Sequence, residues 1–163
     1  MKVTSQEANK ILNKLQEDIR TLKAEENNNF KFVAATIENK EDLRPEYDFQ
    51  ETQNKIALLE EKVRKLKHAI NVFNCTYEVD GYTIDQILIF LPQLNQTKMK
   101  LFGMLSQPPN RRKSVNGNII DYEYLNYNIE DAKKEYEAVD GLLTKLQNKL
   151  NLVNSTVEFD IPD

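Results

Sequence analysis

Two stretches of this chain repeat apolar residues in alternating steps of three and four, and that pattern limits the folds open to it more than any other feature. The first carries Phe49, Thr52, Ile56, Leu59, Val63, Leu66, Ile70 and Phe73, with only Thr52 polar. The second carries Ile129, Ala132, Tyr136, Val139, Leu143, Leu146, Leu150 and Val153, all apolar. A helix with such a seam must keep it against a partner. Ion pairs on the outer faces add little by comparison: Glu60 with Arg64 and Glu61 with Lys65 have the favourable acid-first spacing, worth about 0.3 to 0.5 kcal/mol each.

Two further helices are predicted. Ala8, Leu12, Leu15, Ile19 and Leu22 mark one from Ser5 to Asn27, capped by Thr4 or Ser5 and frayed by Asn27, Asn28 and Asn29. Thr83 and Gln86 have the spacing of a capping box and open the other, with Ile84, Ile87, Leu88, Leu91, Leu94, Leu101, Met104 and Leu105 as its apolar positions. Pro92 interrupts it and predicts a kink or split. Pro45 suits the approach to the helix that begins near Phe49, and Asn128 suits the cap of the one that begins at Ile129.

Between the helices, Cys75–Val79 reads as a short strand closed by the turn pair Asp80-Gly81. Residues 107–118 contain Pro108, Pro109, Asn110 and Asn116-Gly117 and read as a loop. Ile120, Tyr122 and Tyr124 alternate with polar residues, which predicts a strand, and such an aromatic strand ordinarily covers a core.

The two strong seams share one register, 80 residues apart, and the match runs on past the helix ends. Asn71, Asn74, Thr76, Glu78 and Asp80 recur as Asn151, Asn154, Thr156, Glu158 and Asp160. Ala8, Leu12, Leu15 and Leu22 align with Ile87, Leu91, Leu94 and Leu101 at a spacing of 79. The expected architecture is therefore mainly α: a four-helix antiparallel bundle built from two helix-hairpin repeats, about 4–80 and 83–160, with short β-strands at the helix ends. A length of 163 residues suits a single domain, 1–163.

Composition narrows the function classes. The net charge of −4 argues against a dedicated DNA-binding protein. The polar stretch 1–10 lacks the apolar segment of a secretory signal, and the single Cys75 cannot form an intramolecular bridge, so a cytoplasmic setting is expected. The longest wholly apolar run, Ile87–Pro92, is too short for a membrane span, so no membrane partner is expected.

Chemistry-bearing constellations are sparse. His68, the one histidine, falls on the outward side of its helix and reads as a solvated residue. One His with one Cys cannot supply a structural zinc set, and position 65 is Lys where a Glu-x-x-His di-metal motif needs an acid. Gly81, Gly103, Gly117 and Gly141 are too dispersed to cradle a phosphate. The acidic pairs Glu25-Glu26 and Glu130-Asp131 lie near helix ends and read as solvated, the second favourably placed for the helix dipole. No catalytic residue, cofactor or metal is expected.

The most suggestive polar feature is Arg111-Arg112-Lys113, a candidate contact for phosphate or for a partner, which the basic run Lys62, Arg64, Lys65 and Lys67 could extend. Tyr122, Tyr124 and Tyr127 could stack bases. Charge is also uneven: residues 121–140 carry seven acids against Lys133 and Lys134, whereas 62–67 carry four basic side chains, so complementary surfaces could guide self-association.

The AINVFN stretch Ala69–Asn74, the DGYT stretch Asp80–Thr83, the IDYEY stretch Ile120–Tyr124 and Leu152–Asn154 together resemble a family of small bacterial proteins of uncharacterised function, some of which carry the label septicolysin. The resemblance covers most of the chain from the second helix onward. It implies a small helical soluble protein and supplies no functional residues. A lytic role is not expected: the thiol-activated cytolysins place a Cys among several Trp residues, and this chain has no Trp, with Cys75 set in Phe73–Tyr77.

The leading expectation is a non-enzymatic cytoplasmic protein that binds a protein partner or itself through exposed seams or strand edges, such as one at Thr156–Ile161. An RNA- or DNA-contacting module using Arg111, Arg112 and Lys113 is the competing class. An enzyme with a small pocket between helices at the Pro92 break is the third.

Overall fold

The computed structural model describes residues 1–162; Asp163, part of the expected domain, lies outside the described residues. The described residues form four helices and six short strands in the order β1 (Lys2–Thr4), α1 (Ser5–Asn29), α2 (Phe49–Thr76), β2 (Glu78–Val79), β3 (Tyr82–Thr83), α3 (Ile84–Leu105), β4 (Asn110–Asn116), β5 (Ile119–Tyr124), α4 (Ile129–Thr156) and β6 (Glu158–Asp160). All three strand pairs are antiparallel: β1 with β6, β2 with β3, and β4 with β5. The chain divides into two compact units, Met1–Thr76 with residues 153–162, and Tyr77–Leu152. Among the described residues, no helix is long and apolar enough to cross a membrane.

In the first unit α1 packs on α2. Thr4 closes a full capping box with Glu7, its hydroxyl accepting from the Glu7 amide while the Glu7 carboxylate accepts from the Thr4 amide at 2.8 Å. Val3, Ala8, Leu66 and Ile161 form a buried cluster, with Leu12, Leu15 and Ile70 packed against it. Phe159 of β6 stacks on Phe73 of α2, the ring centroids 4.5 Å apart. Burial on α2 follows the seam: Ile56, Leu66 and Phe73 are buried and the positions between them half-buried. Phe49, in the first turn, is exposed.

In the second unit β2 and β3 form a hairpin around Asp80 and Gly81, whose φ values of 54° and 82° give the pattern of a type I′ turn. Thr83 then caps α3 with the predicted box to Gln86. Ile84, Ile87, Leu94 and Leu101 on α3 are buried, as are Ala132, Val139, Leu146 and Leu150 on α4. Lys98 of α3 reaches Asp140 of α4 at 2.5 Å, Phe102 meets the Tyr136 ring, and the Tyr127 hydroxyl donates to the Met104 carbonyl at 2.6 Å.

The elements repeat at the spacing of the seams. Both α2 and α4 have 28 residues, and their bounds lie 80 apart. The capping residues Thr4 and Thr83 lie 79 apart, and each pairs across its ladder with a glutamate, Glu158 and Glu78 respectively.

The structure corrects several expectations. Residues 110–116 are not loop: they form β4, paired with β5 across the two-residue turn Gly117-Asn118. The run Cys75–Val79 is only partly strand, because α2 continues through Thr76. Asn27–Asn29 remain helical. Pro92 does not split α3, which runs on from Ile84 to Leu105. Pro92 lies on an exposed face, where water can satisfy a carbonyl deprived of its helical donor. Glu60 pairs with Lys23 of α1 at 2.8 Å instead of Arg64, whereas Glu61 pairs with Lys65 as expected.

Candidate functional site

The basic triplet occupies β4, so the pleat decides what it can do. Cross-strand partners share a face of the ladder: Arg112 faces Tyr122 and Asn110 faces Tyr124, while Arg111 faces Glu123 and Ser114 faces Asp121. A register shift between Arg112 and Ser114 makes Lys113 a bulge residue, and its ammonium meets Glu123 at 2.7 Å. Hydrogen bonding from Lys113, followed by the charges of Lys113 and Arg111, holds the Glu123 carboxyl below its usual range. Ser114 donates to Asp121 at 2.8 Å.

The three cations therefore do not form one phosphate-binding patch. Arg111 and Lys113 are drawn to the carboxylate face, and Arg112 stands on the other face with Ile120, Tyr122 and Tyr124. Every residue of β5 is exposed, Tyr124 by 69%, which corrects the expectation that this strand covers a core. The Tyr122 and Tyr124 rings lie 6.2 Å apart. Tyr127, beyond the strand, is half-buried with its hydroxyl engaged by Met104 and does not join them. The hairpin thus has one charged face and one face of aromatic and aliphatic side chains with a single arginine, a composition enriched at protein interfaces.

The enzyme alternative calls for a small pocket at a Pro92 helix break; α3 has no such break, and a groove lies beside Pro92 within the second unit. It is open, with a volume of about 550 Å³, and is lined by Leu91, Pro92, Asn95, Leu143, Thr144, Gln147 and Asn148. None of these side chains titrates near neutral pH, so the groove offers neither a general acid nor a base. His68 is exposed on α2, as expected.

Two clusters had escaped the sequence reading. Asp80, at the β2–β3 turn, accepts from both Lys149 and Lys145, the latter at 3.0 Å, and these bonds hold its carboxyl below the usual range. Its signal was the i, i+4 spacing of the two lysines on α4. In the first unit, Glu26 accepts from the Tyr47 hydroxyl at 2.7 Å and from the Gln53 amide at 2.5 Å. That bond to Glu26, with some desolvation, raises the Tyr47 pKa. Glu25, Glu46, Asp48 and Glu51 line the same small cleft, with Lys55 paired to Glu51.

The class this structure defines is a mainly helical protein of four helices with short antiparallel strand pairs. No family model matches the chain, and no curated protein matches it. Among solved structures it is similar to a functionally unknown conserved protein from Corynebacterium diphtheriae, with a TM-score of 0.59 and 14% identity over 98% of this chain and 100% of that one. At that identity the likeness concerns the fold alone.

Proposed function

We propose that this chain is a non-enzymatic, cytoplasmic interaction or assembly protein built from two related helix hairpins, with a contact surface on the β4–β5 hairpin. The observation that carries this reading is the exposed face of Ile120, Tyr122 and Tyr124 around Arg112. A two-stranded hairpin gains little from displaying large apolar side chains to water, and two free strand edges invite pairing. The duplication is supported by equal helix lengths, equivalent caps and equivalent ladder registers in the two halves. The resemblance to the septicolysin-labelled family contributes no residues to this reading.

Site-specific photocrosslinking in cells tests it. A photoreactive phenylalanine analogue at Tyr124 is expected to give discrete protein adducts that the same analogue at exposed Leu58 on α2 does not give. Equal labelling at both positions, or none at Tyr124, overturns the reading. Adducts sensitive to nuclease would instead favour the nucleic-acid class, for which Arg112 beside two exposed tyrosines supplies a stacking platform.

A further inference from the structure

Leu88, Pro92, Asn95, Met99 and Phe102 follow one another on α3 in alternating steps of four and three and so form one stripe along the helix. It is not the stripe that α3 buries, which runs through Ile87, Leu94 and Leu101. All five residues are exposed, Leu88 by 46%, Met99 by 67% and Phe102 by 62%, and only Asn95 is polar. On α1, at the 79-residue spacing that separates Thr4 from Thr83, the same positions are Asn9, Asn13, Gln16, Arg20 and Lys23, also exposed. A helix face that meets only water is polar, as on α1; α3 has the composition of a covered face at the positions where α1 has a solvated one.

Gly103 lies beside this stripe, one turn past Met99. It is helical, where glycine is less stable than alanine, and a Cβ built on it meets nothing within 4 Å among the described residues. Nothing within the chain uses the missing side chain. The close approach of a second helix does.

The stripe specifies its own partner. It is balanced about Asn95, with Leu88 and Phe102 each seven residues away, and a twofold contact requires that self-complementarity. Laid antiparallel on a second copy, Leu88 comes opposite Phe102, Pro92 beside Met99, and Asn95 opposite Asn95. The Asn95 side chain has no hydrogen-bond partner among the described residues, and a carboxamide carries both donor and acceptor, so the two asparagines satisfy one another across the axis. One asparagine in an otherwise apolar seam fixes register and orientation. Ile89, 58% exposed on the flank, comes beside Gly103 of the second copy, which leaves room for it. At these exposures each copy offers on the order of 500 Å² and a pair buries about 1,000 Å², the lower limit of specific interfaces and the range of weak, reversible ones.

We propose that two copies of this chain associate through the exposed flank of α3, the two helices antiparallel about a twofold axis at Asn95. This surface uses no residue of the β4–β5 hairpin and goes beyond the reading given for it.

Sedimentation equilibrium of the full chain from about 1 to about 200 µM is expected to show monomer and dimer in exchange, with a dissociation constant on the order of 10 to 100 µM. Met99→Glu should weaken association about tenfold or more. Gly103→Ala should weaken it as well, although alanine favours the helix. Cysteine pairs test the axis in a Cys75→Ser background, which removes the exposed native thiol. Asn95→Cys should bridge to itself on mild oxidation, because residues that meet on the axis bring their Cα atoms within disulfide reach. Leu88→Cys and Phe102→Cys should each fail to bridge alone and should bridge when mixed. Circular dichroism of each variant separates these outcomes from unfolding. A monomer throughout the range, association indifferent to Met99→Glu, or Leu88→Cys bridging to itself as readily as Asn95→Cys overturns the proposal. The double variant Tyr122→Ser, Tyr124→Ser should leave this dimer unchanged; if it abolishes association while Met99→Glu does not, the hairpin is the self-contact and the α3 pairing falls.

Discussion

Ser5 begins α1 as Ile84 begins α3, and both are shut away from water, at 5% and 1% exposure, yet the Ser5 hydroxyl has no hydrogen-bond partner among the described residues. A buried hydroxyl left unsatisfied costs about 1 to 3 kcal/mol. Ser5→Ala is therefore expected to raise stability by about 0.5 to 2 kcal/mol. Urea denaturation checks this through the midpoint at unchanged slope. A lower midpoint would mean that the hydroxyl is satisfied.

The two capping boxes differ in one atom type, which makes one of them sensitive to acid. Thr4→Ala and Thr83→Ala should each cost about 0.5 to 2 kcal/mol. Glu7 titrates and Gln86 does not. The bonds from the Thr4 amide and hydroxyl hold the Glu7 carboxyl below its ordinary value of 4.5. A lowered folded-state pKa contributes stability above the ordinary value that is lost as pH falls through the lowered one. The cost of Thr4→Ala should therefore shrink in acid while that of Thr83→Ala stays constant. Thermal melts of both variants between pH 7 and pH 3 check this, and parallel behaviour would refute it.

What the residue pattern revealed depended on whether the deciding interaction was local. The helices were legible because seam burial follows from spacing, and the Thr83–Gln86 box because its partners are three residues apart. Phe49 escaped the rule because the first turn of α2 lies beyond the buried part of the seam. β4 was hidden because Arg111-Arg112-Lys113-Ser114 has no apolar alternation; its strand character comes from pairing with β5 across Gly117, whose φ of 63° suits the turn. The clamp of Lys145 and Lys149 on Asp80 joins residues more than 60 positions apart, so the i, i+4 spacing of the lysines shows that they share a helix face and not what they hold. The candidate triplet was found, but its division between two faces required the register.

Asp80 combines a left-handed backbone, φ 54°, with its carboxylate held by Lys145 and Lys149, and substitutions separate these roles. Asparagine tolerates this conformation, whereas a Cβ without a polar head costs about 1 to 2 kcal/mol there. Asp80→Asn should lose only the ion pairs, and Asp80→Ala should be less stable than Asp80→Asn by about 1 kcal/mol or more. Because the lysines depress the Asp80 pKa, wild type and Asp80→Asn should converge as pH falls through that lowered value. Denaturant midpoints at neutral and acid pH give both comparisons. Equal stability of the Asn and Ala variants would show that the turn does not strain an ordinary side chain.

Tyr122 and Tyr124 separate contact from folding most directly. Both are exposed on β5, and exposed side chains away from caps and cores usually change stability by less than about 0.5 kcal/mol when replaced. The double variant Tyr122→Ser, Tyr124→Ser is expected to keep the helical circular dichroism and the denaturant midpoint within that margin, apart from early opening of the β4–β5 hairpin, whose ladder has little else to hold it. With a photoreactive group kept at Ile120, the same variant should lose the adducts that the wild-type hairpin forms, because the aromatic surface around Arg112 is gone while the helices that carry it are intact. A large fall in global stability would place these rings in the core after all, and undiminished adduct formation would move the contact surface elsewhere.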